Sequence, residues 1–118
     1  MTTKIDAIPS QEEFASAVGL LKAVAVEARL RILWALLHGE HSVNDLAEHV
    51  GVSASAVSQH LRQLRGLDLV AKRRQGNFIF YSCDHPHVLA LITEALSHAR
   101  HDAVGDGVDH HVLSEISA

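Results

Sequence analysis

Apolar residues recur at helical spacing from the start of the chain. Phe14, Val18 and Leu21 mark one face, and Ser10 stands ahead of them with Glu13 three residues on, the pairing of a capping box. The spacing predicts a first helix over 11–23. A second is expected over 26–37, where Leu30, Leu33, Trp34 and Leu37 share one face and Arg29 and Arg31 turn to water, until His38-Gly39-Glu40-His41 breaks the repeat. Ser42 is placed to cap a short helix over Val43–Val50, Gly51 stops it, and Ser53 caps another that reaches about Leu67. On that fourth helix Val57, Leu61 and Leu64 form the stripe to be buried. Ser55, Ser58, Gln59 and Arg62 share the opposite face, and His60, at the border, is expected to pack rather than to face outward.

From Leu69 the period changes to two. Leu69–Arg73 and Phe78–Ser82 are expected as strands of a hairpin that turns around Arg74-Gln75-Gly76-Asn77. Pro86 then suits the first turn of a last helix, capped by Asp84 or His85 and carrying Val88, Leu89, Leu91, Ile92, Ala95, Leu96 and Ala99 as its apolar residues. Residues 1–9 show no periodicity. Residues 102–118, with Gly105, Gly107, several charges, His110 and His111, are expected to form a flexible tail. The class is therefore mainly α with a small β-hairpin, one domain over 10–101.

A chain of 118 residues, 47% of them hydrophobic, is long enough for one real core. It contains neither a run of about 18 apolar residues nor a secretion signal, so the expectation is a cytoplasmic protein with no membrane partner. The single cysteine, Cys83, excludes an internal disulfide and is expected at a strand end, half-buried. The net charge of −4 argues against nucleic acid only until its distribution is considered. Between Gly51 and Ser82 stand Arg62, Arg65, Lys72, Arg73 and Arg74 against Asp68 alone.

That basic segment is also the helix, glycine turn, helix and hairpin. A short polar face of Ser55, Ser58, Gln59 and Arg62, entered at Ser53, fits a major groove, where Gln pairs with adenine edges and Arg with guanine or phosphate. A charged hairpin alone is commonly just solvated. Directly after a helix-turn-helix, Lys72, Arg73 and Arg74, with Gln75 and Asn77 at the turn, are expected on phosphates.

Histidine supplies the remaining chemistry, for six of the ten fall in the last 34 residues. At about 100° per residue His87, Leu91, Glu94, His98 and His101 share one side of the last helix. His87 and His98 lie roughly 16 Å apart along it, whereas both ligands of one ion must sit within roughly 2.2 Å of the metal. One helix cannot close such a site. Two copies packed antiparallel about a two-fold axis can, which predicts a homodimer with a divalent transition metal, nickel, cobalt or zinc, bridging its subunits. The candidate ligands are His85, His87, His98 and His101, with Asp84, His110 and His111 as further donors. The plainer alternative is a histidine-lined dimer seam in a DNA-binding protein without metal response. A zinc hydrolase is disfavoured, because Glu94 is the only carboxylate on that helix face and no substrate cleft is evident, so no catalytic residue is assigned.

Three stretches, Glu27-Ala28-Arg29-Leu30-Arg31-Ile32-Leu33, Val43-Asn44-Asp45-Leu46-Ala47 and Gly51-Val52-Ser53-Ala54-Ser55-Ala56-Val57-Ser58-Gln59-His60-Leu61-Arg62-Gln63-Leu64, resemble the ArsR/SmtB winged-helix metal-responsive repressors. The resemblance covers about Leu20 to His101. It implies a winged helix-turn-helix of four helices, a hairpin and a fifth helix, dimeric through its first and last helices, that represses until an inducer binds. In family members that sense zinc, cobalt or nickel on the last helix, the ligands follow Asp-x-His and, eleven residues on, His-x-x-His or His-x-x-Glu. His87, His98 and His101 match that spacing, while the first position is His85, with Asp84 beside it. The cysteine patterns of cadmium, lead and arsenic sensors are absent from this chain. Recruitment of His110 or His111 would raise the coordination number and favour nickel or cobalt; without them four-coordinate zinc is favoured.

Overall fold

Ser10 opens the first helix as the spacing requires. Its hydroxyl accepts the Glu13 N–H at 3.1 Å while the Glu13 carboxylate accepts the Ser10 N–H at 2.8 Å, so both backbone donors are satisfied reciprocally. The computed structural model describes residues 7–104, with side chains to 102. Over them run α1 (Gln11–Val24), α2 (Glu27–Leu37), α3 (Val43–Val50), α4 (Ala54–Gly66), β1 (Ala71–Gln75), β2 (Phe78–Ser82) and α5 (Pro86–Val104). This is a mainly helical winged helix-turn-helix, as expected. The residues up to Cys83 form one compact unit and those from Asp84 a second.

In the first unit the cores of α2, α3 and α4 meet. Ile32, Leu33, Leu36, Leu46, Val57, Leu61 and Leu64 are all at most 2% exposed, and α2 packs against α1, α3 and β2 while α4 packs on α3. Because α2 is covered on several sides, its buried residues are Ile32, Leu33, Ala35 and Leu36 rather than the narrower stripe through Trp34. Trp34 is instead 37% exposed, its ring 4.3 Å from that of His38 and parallel, within 7°, to that of His49. Arg31 does face water, paired with Glu27 one turn back. Arg29 does not: it is half-buried and bonded to α4.

The turn between α3 and α4 depends on Gly51, whose φ of +82° lies in the left-handed region that an L side chain resists. Ser53 restarts the chain by accepting the Ala56 N–H at 3.1 Å. After α4 the chain reverses through Asp68, at φ +59°, and the Leu69 N–H returns to the Leu64 carbonyl. This reversal places Leu69 and Val70 in the core as a link, so β1 begins at Ala71, two residues later than the alternation suggested. The hairpin is also tighter than expected. Gln75 pairs with Phe78, leaving Gly76 and Asn77 as a two-residue turn, and the positive φ of Gly76 meets the requirement of a type II′ turn.

Tyr81 on β2 exchanges two backbone hydrogen bonds with His41, at 2.8 and 3.1 Å, tying the α2–α3 link to the hairpin. Cys83, just past β2, is buried rather than half-buried, and its N–H reaches the Leu36 carbonyl.

The second unit is α5. His85 caps it, its Nδ1 accepting the Val88 N–H at 3.3 Å, and Val88 and Ile92 are its fully buried residues. The helix runs to Val104, past the point where the tail was expected to begin. His110 and His111 lie outside the described residues, as do residues 1–6. No described helix is long and apolar enough to cross a membrane.

Candidate nucleic-acid interface and metal centre

Helix α4 presents the face its spacing implies. Ser55, Ser58, Gln59 and Arg62 are exposed on one side, while Val57, Leu61 and Leu64 are buried on the other. None of the four outward side chains is bonded to another described residue, so their donors and acceptors are available to base edges and phosphates. Ser53 differs, since its hydroxyl already caps the helix. The free N–H groups of the first turn stand beside it, a feature that favours phosphate. His60 is half-buried at the border and accepts a hydrogen bond from Arg29, the packing role expected of it.

The hairpin sorts its basic residues by face. Lys72 and Arg74 fall on one side of β1 and Arg73 on the other, as alternate residues must. Arg73 is held: its Nε and Nη2 donate to the two carboxylate oxygens of Glu40 at 2.7 and 2.8 Å, its Nη1 donates to Gln75, and its guanidinium lies 5.0 Å from the centre of the Phe80 ring opposite. The fork of N–H groups keeps the Glu40 carboxyl below its usual range and raises Arg73 above its own. Arg74 donates to the Gly76 carbonyl beside it, and Asn77 is exposed at the tip. Sequence reasoning placed three equivalent cations here. It missed that Glu40, on the α2–α3 link, neutralises one of them, for nothing in a single sequence pairs residues 33 apart.

On α5, His87, Glu94, His98 and His101 are exposed and His85 is half-buried. The His85 and His87 rings are 5.6 Å apart at their centres, so these two come together at the start of the helix. With its Nδ1 accepting the Val88 N–H, the neutral His85 ring carries its proton on Nε2, so His85 can ligate a metal only by giving up this cap or that proton. Asp84 is exposed beside it. His98 and His101 stand one turn apart at the far end, and no three such groups among the described residues are placed to hold one ion within a single chain. Asp102, four residues from His98, has a carboxylate oxygen shielded from solvent and without a partner among the described residues. It was not among the candidates from sequence, although a position one turn from His98 was the available signal.

A second group of histidines lies in the first unit. His38, His41 and His49 line an open depression of about 430 Å³ with Trp34, Asp45 and Glu48. His38 is fixed there by its Nδ1, 2.7 Å from the Trp34 carbonyl.

Residues 27–72 match the model of the bacterial regulatory proteins of the arsR family. The transcriptional regulator KmtR of Mycobacterium tuberculosis is 43% identical over 94 residues, 80% of this chain and 71% of that protein. The chain belongs to the arsR family. Solved structures agree with that placement. NolR from Sinorhizobium fredii superposes with a TM-score of 0.70 at 38% identity, covering 84% of this chain and 95% of that one. The antimony-specific repressor AntR reaches 0.74 at 30% identity, covering 87% and 96%. The protein is thus a DNA-binding transcriptional repressor of the ArsR/SmtB type, related to regulators rather than to enzymes.

Proposed function

We propose that this repressor acts in the cytoplasm as a homodimer on a two-fold symmetric operator and is released by a divalent transition metal, nickel or cobalt ahead of zinc. Each α4 lays Ser55, Ser58, Gln59 and Arg62 in a major groove. Lys72, Arg74, Gln75 and Asn77 meet the flanking phosphates, and Arg73 joins them to the extent that Glu40 lets it go. The exposed apolar residues of α1, Phe14, Val18 and Leu21, about half exposed in the single chain, support self-association, because a helix seldom leaves such a row in water.

The observation that carries the metal reading is the donor set of α5. Imidazoles stand at both ends of α5, too far apart to share an ion within a chain, and one turn beyond His98 Asp102 holds a shielded carboxylate oxygen that has no partner among the described residues. These groups fit a nitrogen-rich site for a borderline metal. His85 or Asp84, with His87, would supply one end and His98 with His101 the other, the tail histidines His110 and His111 adding to them. Donors from both subunits holding one ion would tie the two α5 helices together and so fix the angle between the two α4 helices. The similar structure AntR is named as an antimony-specific transcriptional repressor, which supports an inorganic inducer for this chain.

Titration of nickel, cobalt and zinc against the complex with a duplex selected from a random library tests this reading. The ion should weaken binding about 5- to 150-fold, the usual range of allosteric coupling. His98→Ala should bind the duplex normally and no longer respond. If none of the three ions changes duplex affinity, the sensor half of the proposal is wrong.

A further inference from the structure

Arg29 reaches from the first turn of α2 to α4 and bonds two of its residues at once. Its Nε–H donates to His60 Nδ1 at 3.1 Å, and its Nη2 donates to the Gln63 side-chain oxygen. Among the described residues these are the side-chain hydrogen bonds that join α2 to α4, whose main packing partner is α3. We propose that Arg29 is a positioning residue for DNA reading: by gripping one flank of α4 it fixes the roll of that helix and so the direction in which Ser55, Ser58, Gln59 and Arg62 point. The inference rests on the reading of α4 as the DNA-contacting helix.

The geometry follows from the helical period. At about 100° per residue, His60 and Gln63 stand on the side of α4 between its buried stripe and its outward face, and a residue one turn along repeats the grip. The buried stripe of Val57, Leu61 and Leu64 fixes which side of α4 faces inward, but its non-directional apolar contacts leave small rotations about the helix axis open. A planar guanidinium with two donors aimed at two successive turns resists them well. The grip also sets the chemistry of His60. To accept from Arg29, its Nδ1 must carry a lone pair, so the ring is neutral with its proton on Nε2. Burial and the neighbouring Arg29 charge both hold His60 below its ordinary value, consistent with that tautomer.

The free, full-length chain provides the first test. Nitrogen NMR of His60 should show an unprotonated Nδ1 and a titration midpoint below that of an ordinary histidine, and Arg29→Met should move the midpoint up. Identical titration in the two proteins overturns the proposal whatever the DNA result. The second test compares a duplex selected by the wild-type protein with a shuffled duplex of the same composition. Arg29→Met should lose about tenfold of the discrimination between them, or about 1.4 kcal/mol, with an unchanged salt dependence and a melting temperature within a few degrees of wild type. Arg29→Lys, which keeps the charge without the fork, should behave like Arg29→Met. Full recovery by lysine, or an equal loss on both duplexes, overturns the clamp. Failure of the wild-type protein to select any duplex overturns the DNA reading instead, and the NMR result still decides whether the grip exists.

Discussion

The Arg73 guanidinium spans both carboxylate oxygens of Glu40, at 2.7 and 2.8 Å, so one of the three consecutive cations on the hairpin is partly neutralised by the link between α2 and α3. Removing the carboxylate frees a cation for phosphate. Glu40→Gln should therefore tighten binding to any duplex at low salt. It should also steepen the fall of log affinity with log salt, by up to about 0.9 for each further phosphate that a subunit neutralises. Fluorescence anisotropy across a potassium chloride series measures both; an unchanged slope would mean that Arg73 does not reach DNA.

Acid should weaken the fold through His60. Its folded value is lowered by burial and by Arg29, so below its ordinary value of about 6.5 the unfolded chain binds the proton more readily than the folded one. Stability contributed by neutral His60 is complete above that pH and is lost as the pH falls toward the folded value. His60→Asn, which keeps an acceptor and does not titrate, should flatten the difference between urea midpoints at pH 7.5 and pH 5. The other histidines contribute equally to both proteins, so the comparison isolates this one.

Gly51 offers a test of the turn before α4. A Cβ there would meet nothing within 4 Å, so the cost of Gly51→Ala is conformational alone, from the φ of +82°. Chemical denaturation should show a loss of roughly 1 kcal/mol. By contrast Leu46→Ala, which empties a fully buried position on α3, should cost about 2–5 kcal/mol.

Removing residues 105–118 separates the metals. With His110 and His111 present, cobalt should show the weak visible absorption of a six-coordinate ion, and without them the intense bands of a tetrahedral one. An identical spectrum in both proteins would exclude the tail from the site. Asp102→Asn should lower cobalt affinity if its shielded oxygen belongs to the same shell.

The elements most legible in the sequence are those whose signals are local. Ser10 with Glu13, Ser42, Gly51 and Ser53 mark helix ends through bonds to residues three or four away, and each cap is where the spacing placed it. The polar face of α4 was legible for the same reason. What escaped was set by residues distant in sequence. Arg29 was expected in water because its helix face looked polar, yet its partners are 31 and 34 positions on. Trp34 looked like core, yet α2 buries a different set against three neighbours. β1 began late because Leu69 and Val70, apolar enough for a strand, were taken up in the link after α4.

The reciprocal bonds between Tyr81 and His41 cover part of the outer side of β2, which leaves β1 as the more open margin of the small sheet. That margin carries Lys72, Arg73 and Arg74 in succession. Two molecules approaching along it would oppose like charges at close range, which discourages them from zipping together into a continuous ribbon. The charges of the hairpin would thus also disfavour edge-to-edge association between copies of this protein.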